Sequence, residues 1–254
     1  MTRLSRLVPL VLLPLALACG GGNKEAPAES AAPAGKTVDQ ATAGTVTGKV
    51  VLEGAPPRAE VVRMNADPIC MRENGGQRET EFFIVGPNSE LRNVLVYVKQ
   101  APAGYRFDTP SQPVTLDQRG CRYEPHVFAV RVGQPLDIVN GDATLHNVHA
   151  VPAVNQEFNL GQPIQGMKMS HTFSAPEVGI LFKCDVHGWM NAYGAVFDHP
   201  YFSVTDANGR FSLANLPPGT YEIEAWHEKL GTMTETVTVG QKETSDVTFT
   251  FKAS

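Results

Sequence analysis

The 254-residue sequence has few charged side chains, few aromatic ones and only four cysteines. Charged residues make up 19%, below the roughly 25% of ordinary soluble domains, and the formal net charge is −5. A moderately acidic chain is a poor candidate for binding nucleic acid, so no such partner is expected. Runs with the helical period are also scarce, whereas 23 glycines and 19 prolines supply many turns. The sequence therefore predicts an all-β protein.

Long apolar runs are missing as well, apart from one near the start of the chain. Leu7–Leu17 has 11 residues, too few to span a bilayer as a helix, and two arginines precede it. The residues that follow, up to Cys19, are typical of a signal peptide over 1–18 whose end resembles a lipobox. We expect an exported bacterial protein, lipidated at Cys19 and anchored by that lipid alone in the periplasm or at the outer membrane. A plain secretory signal cleaved after Ala18 is the alternative.

Residues 19–44 are rich in glycine, alanine, proline, glutamate and serine and have almost no bulky apolar side chain. Such a segment cannot bury a core, and it is predicted to be a flexible tether. From Thr45 onwards the sequence alternates as in strands with one buried face. Further strands are predicted over Leu91–Val98, His126–Val132, Pro135–Asn140 and Val178–Asp185.

The C-terminal region carries a distinctive block, Asn208–Tyr221 (NGRFSLANLPPGTY). It resembles the signature of carboxypeptidase regulatory-like domains, which are transthyretin-like β-sandwiches and usually not catalytic. Such domains open with a Gly-x-Val strand, and Gly48–Val50 supplies one far earlier in the chain. The resemblance implies a discontinuous sandwich over 45–100 and 201–254, with a second sandwich inserted between its halves.

Residues 101–200 carry two motifs that point to one site. Cys184–Met190 (CDVHGWM) has the spacing Cys-x2-His-x2-Met, and Asn140–Val148 (NGDATLHNV) holds a histidine well before it. These segments resemble those of plastocyanin- and amicyanin-like cupredoxins, which are Greek-key β-sandwiches with a type 1, or blue, copper site. The resemblance implies that one copper ion is bound by His146, Cys184, His187 and Met190. It also implies that Asn147 hydrogen-bonds toward the thiolate loop and supports the site.

These residue types suit a copper ion that alternates between Cu(I) and Cu(II). Thiolate and thioether sulfur are soft ligands that favour Cu(I), whereas imidazole binds both states. If the protein fixes all four ligands in one geometry, little has to rearrange when an electron moves.

With Cys184 assigned to copper, Cys70 and Cys121 remain as a pair in an exported chain, where free thiols oxidise. A disulfide between them is predicted, because the alternative of a second thiolate site lacks matching histidines nearby. Five further histidines show no metal-binding spacing and are expected to be structural or surface residues: His126, His149, His171, His199 and His227.

One-electron transfer to a transient redox partner, such as a cytochrome or a reductase, is the preferred function. The resemblance implies that the exposed edge of His187 is the electron port, beside a small apolar patch of Gly188 and Trp189. No enzymatic activity is expected, because Lys183 and Asp185 flank Cys184 where copper oxidases and nitrite reductases place a bridging histidine. A copper carrier or buffer, and a non-redox binding module with an empty cupredoxin site, are the alternatives.

Overall fold

The computed structural model describes residues 35–253, so the predicted signal peptide and the lipidation site Cys19 lie outside the described residues. Within this range the chain is almost entirely β-structure, as the sequence predicts, and its single helix is too short to cross a membrane. The elements are β1 (Gly44–Glu53), β2 (Val61–Arg63), α1 (Pro68–Asn74), β3 (Gln77–Glu79), β4 (Leu95–Val98), β5 (Val114–Gln118), β6 (Tyr123–Glu124), β7 (Val127–Arg131), β8 (Leu136–Asn140), β9 (His146–Val151), β10 (Phe158–Gln162), β11 (Lys168–His171), β12 (Glu177–Lys183), β13 (Asn191–Phe197), β14 (Phe202–Val204), β15 (Arg210–Leu216), β16 (Gly219–His227), β17 (Gly231–Val239) and β18 (Thr244–Lys252).

Strands from the two ends of the described chain share sheets and form what we call the flanking sandwich. One sheet has the order β15-β1-β18 and the other β14-β4-β16-β17. β1 runs parallel to β18 and antiparallel to β15, so the early strand lies between two late ones. Alternating apolar residues such as Val50, Leu213 and Phe249 fill the space between the sheets.

Strands β5 to β13 form the second unit, which we call the inserted sandwich. Its sheets have the orders β10-β9-β12-β13-β7 and β11-β8-β5-β6. Phe128, Ile138 and Phe182 are among the side chains buried between them. β9 lies beside β12 in antiparallel register, with His149 opposite Lys183. This pairing brings the start of β9, and with it His146, close to the chain that leaves β12.

The two sandwiches meet through a small apolar interface of their own. Tyr97 and Leu95 of β4 pack against Val127, Ala195 and Phe197 of the inserted sandwich. The Phe197 ring also stacks on that of Phe202, with centroids 5.0 Å apart.

Residues 61–79, which we call the cap, form a separate small layer made of β2, α1 and β3. Helix α1 was not predicted from the sequence, although its end signals are present. Asp67 is its N-cap, Pro68 occupies the first turn, and Gly75 ends it with a positive φ of 64°. Met64 and Cys70 of the cap are buried in the core of the inserted sandwich.

One predicted strand is shorter in the structure, and part of the predicted tether is in contact with the fold. The strand predicted over Leu91–Val98 is regular only as β4, because Asn93 has a φ of 63° and interrupts the ladder. The described end of the predicted tether contacts the folded chain, since Lys36 pairs with the backbone of Gly104 and Arg106.

Candidate metal centre

The ligand loop Cys184–Met190 starts directly after β12 and is closed by its own backbone hydrogen bonds. Cys184 N–H donates to the Met190 carbonyl at 3.2 Å, and Met190 N–H donates to the His187 carbonyl at 2.9 Å. The His187 N–H donates to the Cys184 sulfur at 3.3 Å. These bonds turn the loop so that a histidine and a cysteine three residues apart face the same point.

Three of the four predicted ligands converge in the interior. The Nδ1 atoms of His146 and His187 lie 2.9 Å apart, and the Cys184 sulfur lies 3.9 Å from His187 Nδ1. One ligand atom from each of these residues falls within 4.8 Å of the others. Met190 is buried in the same apolar cluster as Cys184. The structure thus brings together an imidazole pair and a thiol from two chain segments, and the methionine is buried in the same core.

Each histidine has a carboxylate at its outer nitrogen. His146 Nε2 lies 2.9 Å from Asp142 Oδ2, and His187 Nε2 lies 3.1 Å from Asp67 Oδ2. Asp142 also accepts from the backbone N–H groups of Gly120 and Cys121, both at 2.8 Å. Burial raises the pKa of Asp67, but hydrogen bonds from Thr144, the α1 backbone and His187 outweigh it and hold the value at about 2. Burial also raises the pKa of Asp142, but the bonds from His146 and the backbone outweigh it and lower the value. Both carboxylates are therefore ionised and can only accept.

Ionised carboxylates determine which nitrogen of each ring carries the proton. Because Asp142 and Asp67 accept, each histidine presents its Nε2–H to a carboxylate, and its Nδ1 is the inward-facing atom that can hold a proton or a metal ion. Two lone pairs facing each other at 2.9 Å repel unless a proton or a metal ion lies between them. The donor set of two inward imidazole nitrogens, a thiol sulfur and a neighbouring methionine fits copper, which prefers nitrogen and soft sulfur ligands.

The protonation of the site already favours the thiolate. Burial raises the pKa of Cys184, but hydrogen bonds from both histidines and from the backbone of Asn147 and His187 outweigh it and lower the value to about 6. Burial likewise lowers the pKa of His146, but its bonds to Asp142 and Cys184 raise the value to about 9. The thiolate is the form in which cysteine binds metals. A metal ion would take the place of the proton that His146 holds.

Asn147 lies where the sequence predicts a supporting residue. Its Oδ1 accepts from the Asp185 N–H at 2.7 Å, which ties β9 to the start of the ligand loop. The predicted disulfide between Cys70 and Cys121 is present and lies against the site, with Cys70 sulfur 3.8 Å from His187 Nε2.

The prediction of an exposed electron port at His187 is wrong. Only 3% of this residue is exposed, because the cap covers the ring edge that carries Nε2. Gly188 is exposed, while Trp189 is half-buried. Its ring lies 5.0 Å from that of His187, tilted by 43°, and its indole N–H donates to the Cys121 carbonyl. Sequence reasoning missed the cap because Asp67 lies 120 residues from His187 in the chain.

The other five histidines do not join the site, as the sequence predicts. Within the described residues each has a local partner instead. His126 contacts Glu228 across the sandwich interface, His149 binds Asp185 and Glu157, and His171 packs 4.0 Å from the Phe158 ring. His199 and His227 accept from the N–H groups of Tyr201 and Lys229.

Comparisons with known proteins each match only part of the chain. A family model described as the carboxypeptidase regulatory-like domain matches residues 197–252. Among solved structures, an amicyanin variant with Cu(I) is 24% identical over 40% of this chain and 97% of its own, with a TM-score of 0.30. A purple cupredoxin from Nitrosopumilus maritimus is 19% identical over 33% of this chain and 98% of its own, with a TM-score of 0.29.

A copper-containing nitrite reductase from Thermus scotoductus is 21% identical over 39% of this chain, with a TM-score of 0.30, and the match spans only 25% of the reductase. A search of curated proteins gives no match. The described chain therefore holds two β-sandwiches, and the family model matches the C-terminal strands of the flanking one.

Proposed function

We propose that this protein is an exported blue copper protein that transfers single electrons through one copper ion. The ligands would be His146, Cys184, His187 and Met190. The observation that carries the proposal is the pair of inward-facing Nδ1 atoms, 2.9 Å apart beside the Cys184 sulfur and each backed by a carboxylate. The proposal includes lipidation at Cys19 and a transient redox partner such as a cytochrome or a reductase.

When bound, copper would supply a one-electron couple between Cu(I) and Cu(II). The protein's own part is to hold the ligands still and keep water away. His146, Cys184 and His187 are each at most 3% exposed, and the Cys184 sulfur accepts a hydrogen bond from the His187 N–H within the loop. Asp142 and Asp67 accept from the outer nitrogens of the two histidines. Hydrogen bonds of this kind orient metal-binding histidines and raise their basicity.

An optical titration of the purified protein with Cu(II) tests the proposal. We expect saturation at one copper per chain and an intense visible band, because the Cys184 thiolate would donate charge to the metal in the strong ligand plane. Zinc, which has no redox chemistry, is the matched control and should bind without colour. A protein that stays colourless with bound Cu(II) would overturn the assignment.

A copper carrier or buffer is a second candidate, and the buried position of His187 favours it. An electron port must approach its partner, whereas a copper store gains from a ligand sealed beneath the cap. The two functions separate in rate measurements on the copper-loaded protein. Rapid exchange of electrons with a soluble cytochrome supports transfer, and slow exchange with facile copper transfer to a Cu(I) chelator supports storage.

Met190→Leu should keep the visible colour and raise the reduction potential. The substitution conserves volume at a buried position, so we expect it to cost less than about 1.5 kcal/mol of folding stability. Although a thioether is a soft ligand, Cu(II) carries the larger charge and gains more than Cu(I) from a fourth donor, so losing that donor and making the site drier both favour Cu(I). Voltammetry measures the shift, and Met64→Leu, at another methionine of the same buried cluster, is the matched control. Equal shifts in both variants would exclude Met190 as a ligand.

A further inference from the structure

Asp67 performs two separable tasks with its two carboxylate oxygens. Oδ1 accepts from the N–H groups of Ile69 and Cys70, at 2.7 and 3.1 Å, and caps helix α1. Oδ2 accepts from the Thr144 hydroxyl at 2.7 Å and contacts His187 Nε2 at 3.1 Å. The first task belongs to the cap and the second to the metal centre, so the residue links the two.

The disulfide of the cap connects the Asp67 segment to the carboxylate that serves the other histidine. Cys70, three residues beyond Asp67, is fully buried and bonded to Cys121. The N–H of Cys121 donates to Asp142, which is the carboxylate that serves His146. The two carboxylate–histidine pairs are therefore connected through the Cys70–Cys121 disulfide.

We infer that Asp67 is the positioning residue for His187, fixing its ring orientation and tautomer and biasing the site toward Cu(II). This inference rests on the proposed function. An ionised carboxylate at Nε2 keeps the proton on that nitrogen and leaves Nδ1 free to bind a metal. A fixed negative charge beside the ligand also stabilises Cu(II) more than Cu(I), because Cu(II) carries the larger positive charge.

Two substitutions separate this task from helix capping. Serine and asparagine cap helices about as well as aspartate, so Asp67→Ser and Asp67→Asn should both preserve α1. Serine leaves His187 Nε2 without an anion. Asparagine keeps its oxygen on the helix N–H groups and turns an amide N–H₂ toward Nε2, which should drive the ring to the opposite tautomer. Asp206→Asn, in a turn of the flanking sandwich, is the remote control.

The first measurement needs no metal. Nitrogen NMR of the apo protein should show the His187 proton on Nε2 in the wild type and on Nδ1 in Asp67→Asn. The second uses the copper-loaded protein. Loss of an outer-shell partner commonly lowers metal affinity about 10–100-fold. If Cu(II) affinity falls tenfold more than Cu(I) affinity, the reduction potential rises by about 59 mV.

The outcomes distinguish the inference from the proposed function. A rise in potential in both Asp67 variants, with Asp206→Asn unchanged, supports the inference. If the wild type is blue but Asp67→Ser keeps its potential and Asp67→Asn keeps the Nε2 tautomer, Asp67 only caps the helix and the inference fails. If no variant binds copper while the tautomer still switches, the positioning of His187 stands and the copper function fails.

Discussion

Cys184→Ser should abolish the visible band of the Cu(II)-loaded protein and reduce copper affinity strongly. A hydroxyl is a hard, poor donor to copper, and it does not ionise near neutral pH as this thiol does, whose pKa is lowered to about 6. Serine is close to cysteine in size and shape, so the buried loop should still fold. Absorption spectroscopy and a copper competition assay measure both effects on the same sample.

The two other described cysteines provide the control for this experiment. Removing Cys70 and Cys121 together should leave the colour, because the two sulfurs are bonded to each other and that of Cys70 lies at the outer nitrogen of His187. Thiol counting in denaturant, on metal-free protein lacking Cys19, should find one reactive thiol in the wild type and none in Cys184→Ser. A Cys184→Ser protein that is still intensely coloured would show that another sulfur binds the metal.

The outcome of these spectra also separates the proposed classes of function. A coloured protein that is reduced and reoxidised rapidly agrees with electron transfer. A protein that binds copper tightly but exchanges electrons slowly agrees with a carrier. A protein that binds no copper leaves the third class, a binding module in which the inserted sandwich serves as a scaffold.

The ligand loop could be predicted because three of the four proposed ligands lie within seven consecutive residues. Cys184, His187 and Met190 are fixed near one another by the chain itself, and an alternating pattern places Cys184 at the end of a strand. His146 could be added only through the resemblance to cupredoxins, since the pairing of β9 with β12 is not visible in the sequence. The all-β architecture could be predicted from the alternation of apolar and polar residues and from the many turn residues.

The surroundings of the site could not be predicted, because they are built by long-range contacts. Asp67 and His187 are 120 residues apart, and nothing in a short N-cap signal indicates what its second oxygen will contact. Asp142 lies in the segment Asn140–Val148, four residues before His146, but an aspartate in a loop is usually a turn residue. The cap has the largest consequence for function, because it buries the edge of His187 that the sequence predicts to be an exposed electron port.

Replacing Cys70 and Cys121 by alanine should lower the free energy of unfolding of the apo protein by about 4 kcal/mol. The disulfide joins residues 51 apart, and in the chain-entropy model a closed loop of that length restricts the unfolded chain by about this amount. The loop contains β4 of the flanking sandwich and β5 of the inserted one. The bond therefore restricts the unfolded chain of both sandwiches, and the loss should appear in the main denaturation transition measured in urea.

Cys184→Ala is the matched control, because it also replaces a buried cysteine by alanine but removes no cross-link. It should cost only the small cavity left by the sulfur. Hydrogen exchange adds a local measure. The amides of α1 should exchange faster in the double variant than in the control, because the cap then keeps its hydrogen bonds and the packing of Met64 but has no cross-link. If the double variant proves as stable as Cys184→Ala and protects α1 equally, the cap is held by packing, and the disulfide is not what keeps the carboxylate on His187.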